Sequence, residues 1–578
     1  MEKSALIHKS DSIYSFPVSN NEIEIRLLTK KNDDIRKIEL VYNDKYKFHE
    51  MIKLKQIFKK FSDDQYDYYI DRIKLTDYRF AYIFRITTLD GEVFYFSESG
   101  VTEDYDITKG FYDFFQVPYI NPIDIVKKNN SISNRVFYQI FVDRFNKSNG
   151  NINPRININW GDKVTGKTIA GGNLNGISEK IDYLKDLGIN AIYLTPIFES
   201  DSNHKYDIKD YYSISKDFGE NIDLKELITK LHNSDMLLVL DGVFNHISID
   251  NEIFQDVIKN NKNSKYYDWF VIKGDKLDLE KSNYEKFADE IKMPKLNLNN
   301  IEVQKYIIDV GRYYVRNFNI DGFRLDVSDE IPHRFWIKFK EAMLEENPNF
   351  FLIGENWHNA DKYLNSGYEF DSIMNYSITK EVLHFIAWDK YTPIHFKNRI
   401  ISNLMRYKTN VNYNMLNLLS SHDVYRFLTE CNKDVDKFLM GYAFIFTHIG
   451  VPCIYYGDEI GLEGGYDPDS RRCFIWDENK WNLKIRETLK RLIDIRKKYV
   501  INDMDYNIDV VNDIVIITRI GTRDVLSIYI NNTDSTKTID DNNEILLSNL
   551  YSNKELSSKG FLITRKDVNK WKSRMYNY

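Results

Sequence analysis

At 578 residues the chain is too long for one ordinary hydrophobic core, so two or three domains, or one unusually large unit, are expected. With 43% hydrophobic and 15% aromatic residues it reads as a globular protein whose tyrosines mostly serve as core. A formal charge of −7, with no Lys/Arg run interleaved with aromatics, excludes a protein built to track nucleic acid.

The opening "MEKSALIHKSDSIYSF" lacks the apolar stretch of a signal peptide, and no later segment approaches the ~18 apolar residues of a membrane span. A cytoplasmic protein without a membrane partner is expected. Residues 1–125 then alternate with period two: Ile23, Ile25 and Leu27; Ile38, Leu40 and Tyr42; Phe80, Tyr82, Phe84 and Ile86. Alternation broken by short polar turns predicts an N-terminal antiparallel β-sandwich.

Across residues 126–500 apolar strands alternate with amphipathic helices. One such unit pairs the helical stripe Leu224, Leu227, Ile228 and Leu231 with the strand "MLLVLDGVFN". Eight strands can be read: "VFYQIFVDRF", "AIYLTP", "LLVLDGVFN", "GFRLDV", "FFLIGENW", "DSIMNY", "MLNLLSSHD" and "CIYYGDE". That count and alternation predict an α/β fold of the closed (β/α)8 TIM-barrel type. A polar and aromatic insertion at about 247–300, after the third strand, predicts a small lobe over one end. In 501–578 the alternation returns in "VVNDIVIITRI" and "DVLSIYINN", predicting a C-terminal β-sandwich. Cys431, Cys453 and Cys473 are too few and too scattered for a disulfide framework or a metal site, and read as packing residues.

In such a barrel the residues at the carboxyl ends of the strands line the site. Those ends carry Asp241, Asn245 and His246 on the third strand, Arg324 and Asp326 on the fourth, Glu355, Trp357 and His358 on the fifth, and His422 and Asp423 on the seventh. Asp423 alone reads as an ordinary loop acid. Four strands delivering acids, histidines and an arginine to one mouth point to chemistry. A buried carboxylate is costly unless paired, so Arg324 is expected to keep Asp326 ionised and lower its pKa, as a nucleophile requires. Glu355 follows the apolar "FFLIG" and stands beside Trp357, a setting that favours the protonated form and suits a general acid. One ionised and one protonated carboxyl group is the equipment for cleaving a glycosidic bond.

"DGVFNH", "DGFRLDV", "GENWH" and "SSHDVYRF", in this order on successive barrel strands, resemble the four conserved regions of the α-amylase family of glycoside hydrolases. "MPKLN" at 293–297, "NHKYDIKDY" and the N-terminal "LTKKNDDIRKIELVYNDKY" resemble its cyclomaltodextrinase, neopullulanase and maltogenic amylase subgroup. The resemblance implies Asp326 as nucleophile, Glu355 as acid/base and Asp423 as the third carboxylate, holding sugar hydroxyls. It further implies that His246 and His422 bond the sugar in the cleavage subsite, Tyr206 stacks beneath it, and Arg324 orients Asp326. His204, Asp467 and Arg471 would fix the sugar and its non-reducing neighbour, and Trp357 and Phe287 would stack on the leaving-group side. Two positions depart from the subgroup pattern, Asn356 for a more usual Val and Asp329 for a usual Asn, and both bear on acceptor and linkage preference.

The subgroup commonly carries an acidic calcium loop near the first strand. Here Asn149, Asn153 and Asn173 stand where Asp is expected, and amides weaken calcium binding, so no bound metal and no organic cofactor are expected. The resemblance also implies a homodimer in which the N-terminal domain leans over the partner's barrel mouth, with Tyr46 offered to the partner's site. The expected function is retaining hydrolysis of α-1,4-glucosidic bonds in maltooligosaccharides and cyclodextrins, with pullulan as a further candidate. Its rivals are an α-glucan transglycosylase and, from another class, a non-catalytic sugar-binding protein. The intact carboxylate triad argues against the last.

Overall fold

The strand Glu22–Lys30 shows how the first unit is built. Ile23, Ile25 and Leu27 are fully buried, each worth about 1.5–3 kcal/mol of burial. They share one apolar core with Ile38, Leu40, Tyr82, Phe84 and Ile86 of a second sheet. A computed structural model describes residues 1–48, 52–106, 113–149, 153–274, 276–500 and 504–568. The first sheet runs in the order Ser15–Ser19, Glu22–Lys30, Tyr66–Lys74, Lys59–Ser62. The second runs Lys53–Ile57, Ile35–Asp44, Phe80–Thr88, Val93–Ser97, Gly100–Thr102, with Phe115–Val117 added beside Phe80–Thr88. All their pairings are antiparallel, as a sandwich requires.

On the other face of Glu22–Lys30, Leu28 joins the main apolar core, while Glu24 and Arg26 meet polar backbone and side-chain groups on the barrel's flank. Arg26 donates to Tyr407 O at 2.9 Å and to Thr409 Oγ1 at 2.9 Å, while Glu24 accepts from Thr409 Oγ1 at 2.7 Å. Period two thus serves two interfaces from one strand.

Eight parallel strands form the central sheet: β1 Phe137–Ile140, β2 Ala191–Leu194, β3 Leu237–Gly242, β4 Gly322–Leu325, β5 Phe351–Gly354, β6 Ser372–Ile373, β7 Leu416–Asn417 and β8 Val451–Tyr455. Their order is β6-β5-β4-β3-β2-β1-β8-β7, and a parallel bridge between Met374 and Leu416 joins the two ends into a barrel. Phe137, Ala191, Tyr193, Val239, Phe351 and Ile353 fill its interior.

Several strands are shorter than their apolar runs. The run "VFYQIFVDRF" stops being a strand at Ile140, and Val142–Phe145 coil into a helical turn. In β7 the Asn417 amide donates to Ile449 O at 2.7 Å, and the chain leaves the ladder after two residues. Buried apolar sequence marks depth in the barrel, whereas ladder length depends on where the backbone turns out to make the mouth.

The insertion after β3 contributes the helix Glu252–Asn260 and short antiparallel bridges, Phe270 to Leu296, Ile272 to Tyr284 and Lys286 to Pro294. A six-stranded antiparallel sheet follows the barrel, with Asp505–Val511, Ile514–Ile520, Asp524–Asn531 and Glu555–Asp567 in order. Lys537–Thr538 and Glu544–Ser552 both pair with the last of these. Residues 501–503 and 569–578 of the expected C-terminal unit lie outside the described residues.

Candidate active site

Inward-facing positions near the carboxyl ends of β1 to β4 are Gln139, Tyr193, Asp241 and Arg324, all buried. A polar layer therefore caps the apolar interior, and Arg324 is its centre. Its Nη1 donates to Asp241 at 2.8 and 3.0 Å and to Asp326 Oδ1 at 2.9 Å; its Nη2 pairs with Glu355 Oε2 at 2.9 Å. Asp423 Oδ2 lies 4.0 Å from the same nitrogen. One cation holds the mouth together.

The sharing alters the charge balance expected from the sequence. Burial pushes the Asp326 carboxyl well above the usual aspartate range, Arg324 opposes the shift, and the neighbouring Glu355 and Asp241 carboxyls reinforce it. The expected lowering of its pKa is therefore corrected: burial outweighs the Arg324 charge, which Asp326 shares with two other carboxyl groups. Asp241 is likewise pushed up by burial, to about 6, against Arg324 and the hydroxyls of Tyr193 and Tyr206. Glu355 is less apolar in its surroundings than its sequence neighbours suggest. It accepts from Val327 N at 2.9 Å and from Trp357 Nε1 at 3.1 Å. Val327 is β-branched yet left-handed, with φ 46° and ψ 43°. That conformation costs about 1–2 kcal/mol, and it aims the Val327 N–H at Glu355, a use of strain typical of functional sites.

Tyr206 donates to Asp241 Oδ2 at 3.0 Å, and its oxygen lies 2.5 Å from His422 Nε2. Gln139 Nε2 lies 2.7 Å from His422 Nδ1. One assignment satisfies this chain: Gln139 donates to Nδ1, and the Nε2–H of His422 points to Tyr206 and to Asp423 at 3.1 Å. It requires a neutral imidazole. Burial, aided by Arg471 and Arg324, pushes His422 well below the usual histidine range. Burial also pushes His246 down to about 3, against a hydrogen bond with the Tyr206 backbone.

A cleft of about 470 Å³ opens above this layer. Of the residues singled out from sequence, His204, Tyr206, His246, Phe287, Asp326, Asp329, Glu355, Trp357, Asp423, Asp467 and Arg471 line it. Arg324 and His422 are buried beneath. Arg471 pairs with Asp467 at 3.1 Å and approaches Asp423 at 3.5 Å. Phe287 stacks on His246 at 4.9 Å, and Trp357 on Tyr376 at 3.8 Å with rings 2° from parallel. Tyr46 is the exception, absent from this cleft. It lies on the N-terminal unit, 72% exposed, between Lys45 and Arg79.

Sequence reading missed Gln139 and Tyr193, although period two from the inward Phe137 and Ala191 points to both. It also gave no role to Glu290, Met293, Val327 and Glu330, which line the cleft. The first two come from the irregular insertion, where no periodicity marks a face.

The asparagines of the loop near β1 have other uses for their amides. Asn173 caps the helix Leu174–Ser178 by accepting from Gly176 N at 2.7 Å and donates to Ser148 Oγ at 2.9 Å. Asn153 donates to Asp217 at 2.9 Å, a carboxylate that Arg155 and Lys205 also hold, and Asn149 is exposed, its N–H bonded to Glu179. Two side-chain cations at that carboxylate do not fit a calcium donor set.

The closed barrel and its converging acids define a (β/α)8-barrel enzyme with its site at the carboxyl ends of the strands. Residues 139–508 match the family model described as the alpha amylase catalytic domain, and residues 1–121 match the alpha amylase N-terminal ig-like domain. The chain belongs to the alpha-amylase family of glycoside hydrolases. A cyclomaltodextrinase of Thermoanaerobacter pseudethanolicus is 43% identical over 500 residues, covering 86% of each chain. An intracellular maltogenic amylase of Bacillus subtilis is 38% identical over 503 residues, covering 86% of this chain and 85% of its own. A solved cyclomaltodextrinase structure superposes with a TM-score of 0.90 at 30% identity, covering 98% of this chain and 100% of that one.

Proposed function

We propose that this protein hydrolyses α-1,4-glucosidic bonds of maltooligosaccharides and cyclodextrins with retention of configuration. The observation that carries this reading is Arg324 bridging Asp326 and Glu355 at 2.9 Å each, on one wall of the cleft. One guanidinium holding both carboxyl groups at the mouth supplies the nucleophile and acid/base pair that double displacement requires, and retention is the outcome that the anomer test below decides. Asp326 attacks the anomeric carbon while Glu355 gives its proton to the leaving oxygen, which produces a glycosyl ester on Asp326 and a freed chain end. Glu355, now a carboxylate, takes a proton from water, and that water's oxygen displaces Asp326 and restores both groups.

In this reading Asp423, His422 and His246 hold hydroxyls of the cleaved sugar, Tyr206 stacks beneath it, and His204, Asp467 and Arg471 fix it and its neighbour. Phe287 and Trp357 offer faces on the leaving-group side. No organic cofactor enters the chemistry. Relatives named cyclomaltodextrinase and intracellular maltogenic amylase support the substrates and a cytoplasmic location; among the described residues no helix is long and apolar enough to cross a membrane. The protein works as an isologous homodimer through its N-terminal unit. Tyr46, Tyr78 and Tyr119, gathered around Arg79 on an exposed face, support that surface as the interface.

The test follows products by NMR from maltotriose, β-cyclodextrin, pullulan and starch, with an added acceptor sugar in parallel. The α-anomer should appear first, and water should outcompete the acceptor. Asp326→Asn should lose about four to six orders of magnitude in turnover while remaining folded. First-formed β-anomer, or a fully active Asp326→Asn, overturns the mechanism; transfer exceeding hydrolysis favours a transglycosylase.

A further inference from the structure

Lys205 separates two cleft residues, His204 and Tyr206, yet faces the other way. Its backbone is left-handed, at φ +64°, so its side chain turns inward while the rings of His204 and Tyr206 stack at 5.9 Å on the cleft side. The ammonium is fully buried. It donates to Ser200 O at 3.0 Å and pairs with Asp217 Oδ2 at 2.5 Å, with the Phe218 ring 5.2 Å away. Asp217 also accepts from Arg155 and Asn153, each at 2.9 Å. Three segments, 153–155, 200–205 and the turn at 217, therefore meet on one carboxylate.

A buried ammonium is costly unless its partners are fixed, so these partners must be rigid for the loop to exist in this form. The consequence reaches the reacting groups. Tyr206, one residue on, touches Asp241 and His422, and Asp241 shares Arg324 with Asp326. A loop shifted at Lys205 would move the Tyr206 hydroxyl and, through it, the charge arrangement around the nucleophile.

We propose that Lys205 is a positioning residue, an internal ammonium that ties this loop as a bound cation otherwise would and thereby sets His204 and Tyr206 against the substrate. The inference rests on the cleft being the sugar-cleaving site.

The test compares Lys205→Met, Lys205→Gly and Asp217→Asn with wild type on maltotriose, with folding followed by circular dichroism. Lys205→Met should fold and lose on the order of 10- to 100-fold in kcat, with KM changed by less than about three-fold, as misplacement of a positioned group predicts. Lys205→Gly relieves the left-handed strain and should lose kcat equally. Asp217→Asn keeps the ammonium and loosens its anchor, so it should lose kcat in the same direction and carries the test if the lysine variants fail to fold. A merely structural lysine would lower Tm and leave kcat per folded molecule unchanged. That result in any folded variant overturns the inference. Chelator should leave the wild-type Tm unchanged, and a fall reversed by calcium also overturns it. A wild type that cleaves neither maltotriose nor cyclodextrin sinks the reading of the cleft, and this inference with it.

Discussion

Arg324 is the residue on which the mouth turns, because three carboxyl groups share a single cation fixed in the barrel interior. Burial opposes its charge, but Asp241 and Glu355, with Tyr193 and Tyr206, raise its pKa well above even the arginine range, so it stays charged at any working pH. Asp326 must be ionised to attack, and its pKa is raised by burial beyond what its share of Arg324 offsets. The sign follows: protonation switches the nucleophile off at a higher pH than for an ordinary aspartate. The acid limb of kcat/KM should therefore lie clearly above the ~3.9 of a free aspartate, and it belongs to the coupled group rather than to one residue. Arg324→Gln removes the opposing charge, so its limb should move further up while turnover falls. A pH–rate series on maltotriose checks both; a wild-type limb at or below that reference, or a downward move in the variant, contradicts the account.

Among the elements, the insertion after β3 and the N-terminal sandwich bound the mouth by different means. The insertion reaches the cleft within one chain through Phe287, Glu290 and Met293. The sandwich lends no described residue to its own chain's cleft lining. It is tied instead to the barrel's flank through Arg26 and Glu24, which leaves Tyr46 exposed. If that face pairs two subunits, Tyr46→Ala should weaken the dimer by on the order of ten-fold, as loss of an aromatic anchor does. The kcat/KM ratio for β-cyclodextrin over starch should fall with it, because the narrowed mouth is what disfavours polymer. Light scattering with the activity ratio decides. Unchanged mass and ratio would mean that neither Tyr46 nor the sandwich shapes specificity.

At the scale of the whole molecule, buried histidines link three separate regions to pH. His8 in the sandwich, His246 in the cleft and His448 against the C-terminal sheet are each held down to about 3 by burial. His448 Nδ1 lies 3.0 Å from the Tyr506 hydroxyl, joining the barrel to the sheet that follows it. Each depressed pKa favours the folded state above the unfolded value of ~6.5, and that stability is lost as pH falls toward the folded value. Each such group makes stability fall with a slope of about 1.4 kcal/mol per pH unit across that window. His448→Gln should lower Tm at neutral pH yet flatten its fall between about pH 6.5 and 4. Calorimetry across that range is the check, and a slope equal to wild type would refute the linkage.

Sequence alone determined which residues can do chemistry and roughly where the chain puts them. Four apolar runs ending in Asp241, Arg324 with Asp326, Glu355 and Asp423 announce a barrel mouth, since a parallel strand buried on both faces has only its ends for polar groups. The alternation at Ile23, Ile25 and Leu27 likewise specifies a sheet face without any partner in view. What those residues do to one another is a matter of distance, and only the tertiary structure decides it. Counting Arg324 and Asp326 as neighbours two apart suggests a private ion pair, whereas burial at the mouth, reinforced by Asp241 and Glu355 brought in by β3 and β5, reverses the expected shift. Val327 turning left-handed to reach Glu355, and Lys205 turning inward between two cleft residues, leave no periodic trace in sequence. Local pattern encodes burial because burial follows from hydrophobicity residue by residue; it does not encode the sharing of charge, which arises when segments tens to hundreds of residues apart converge on one point.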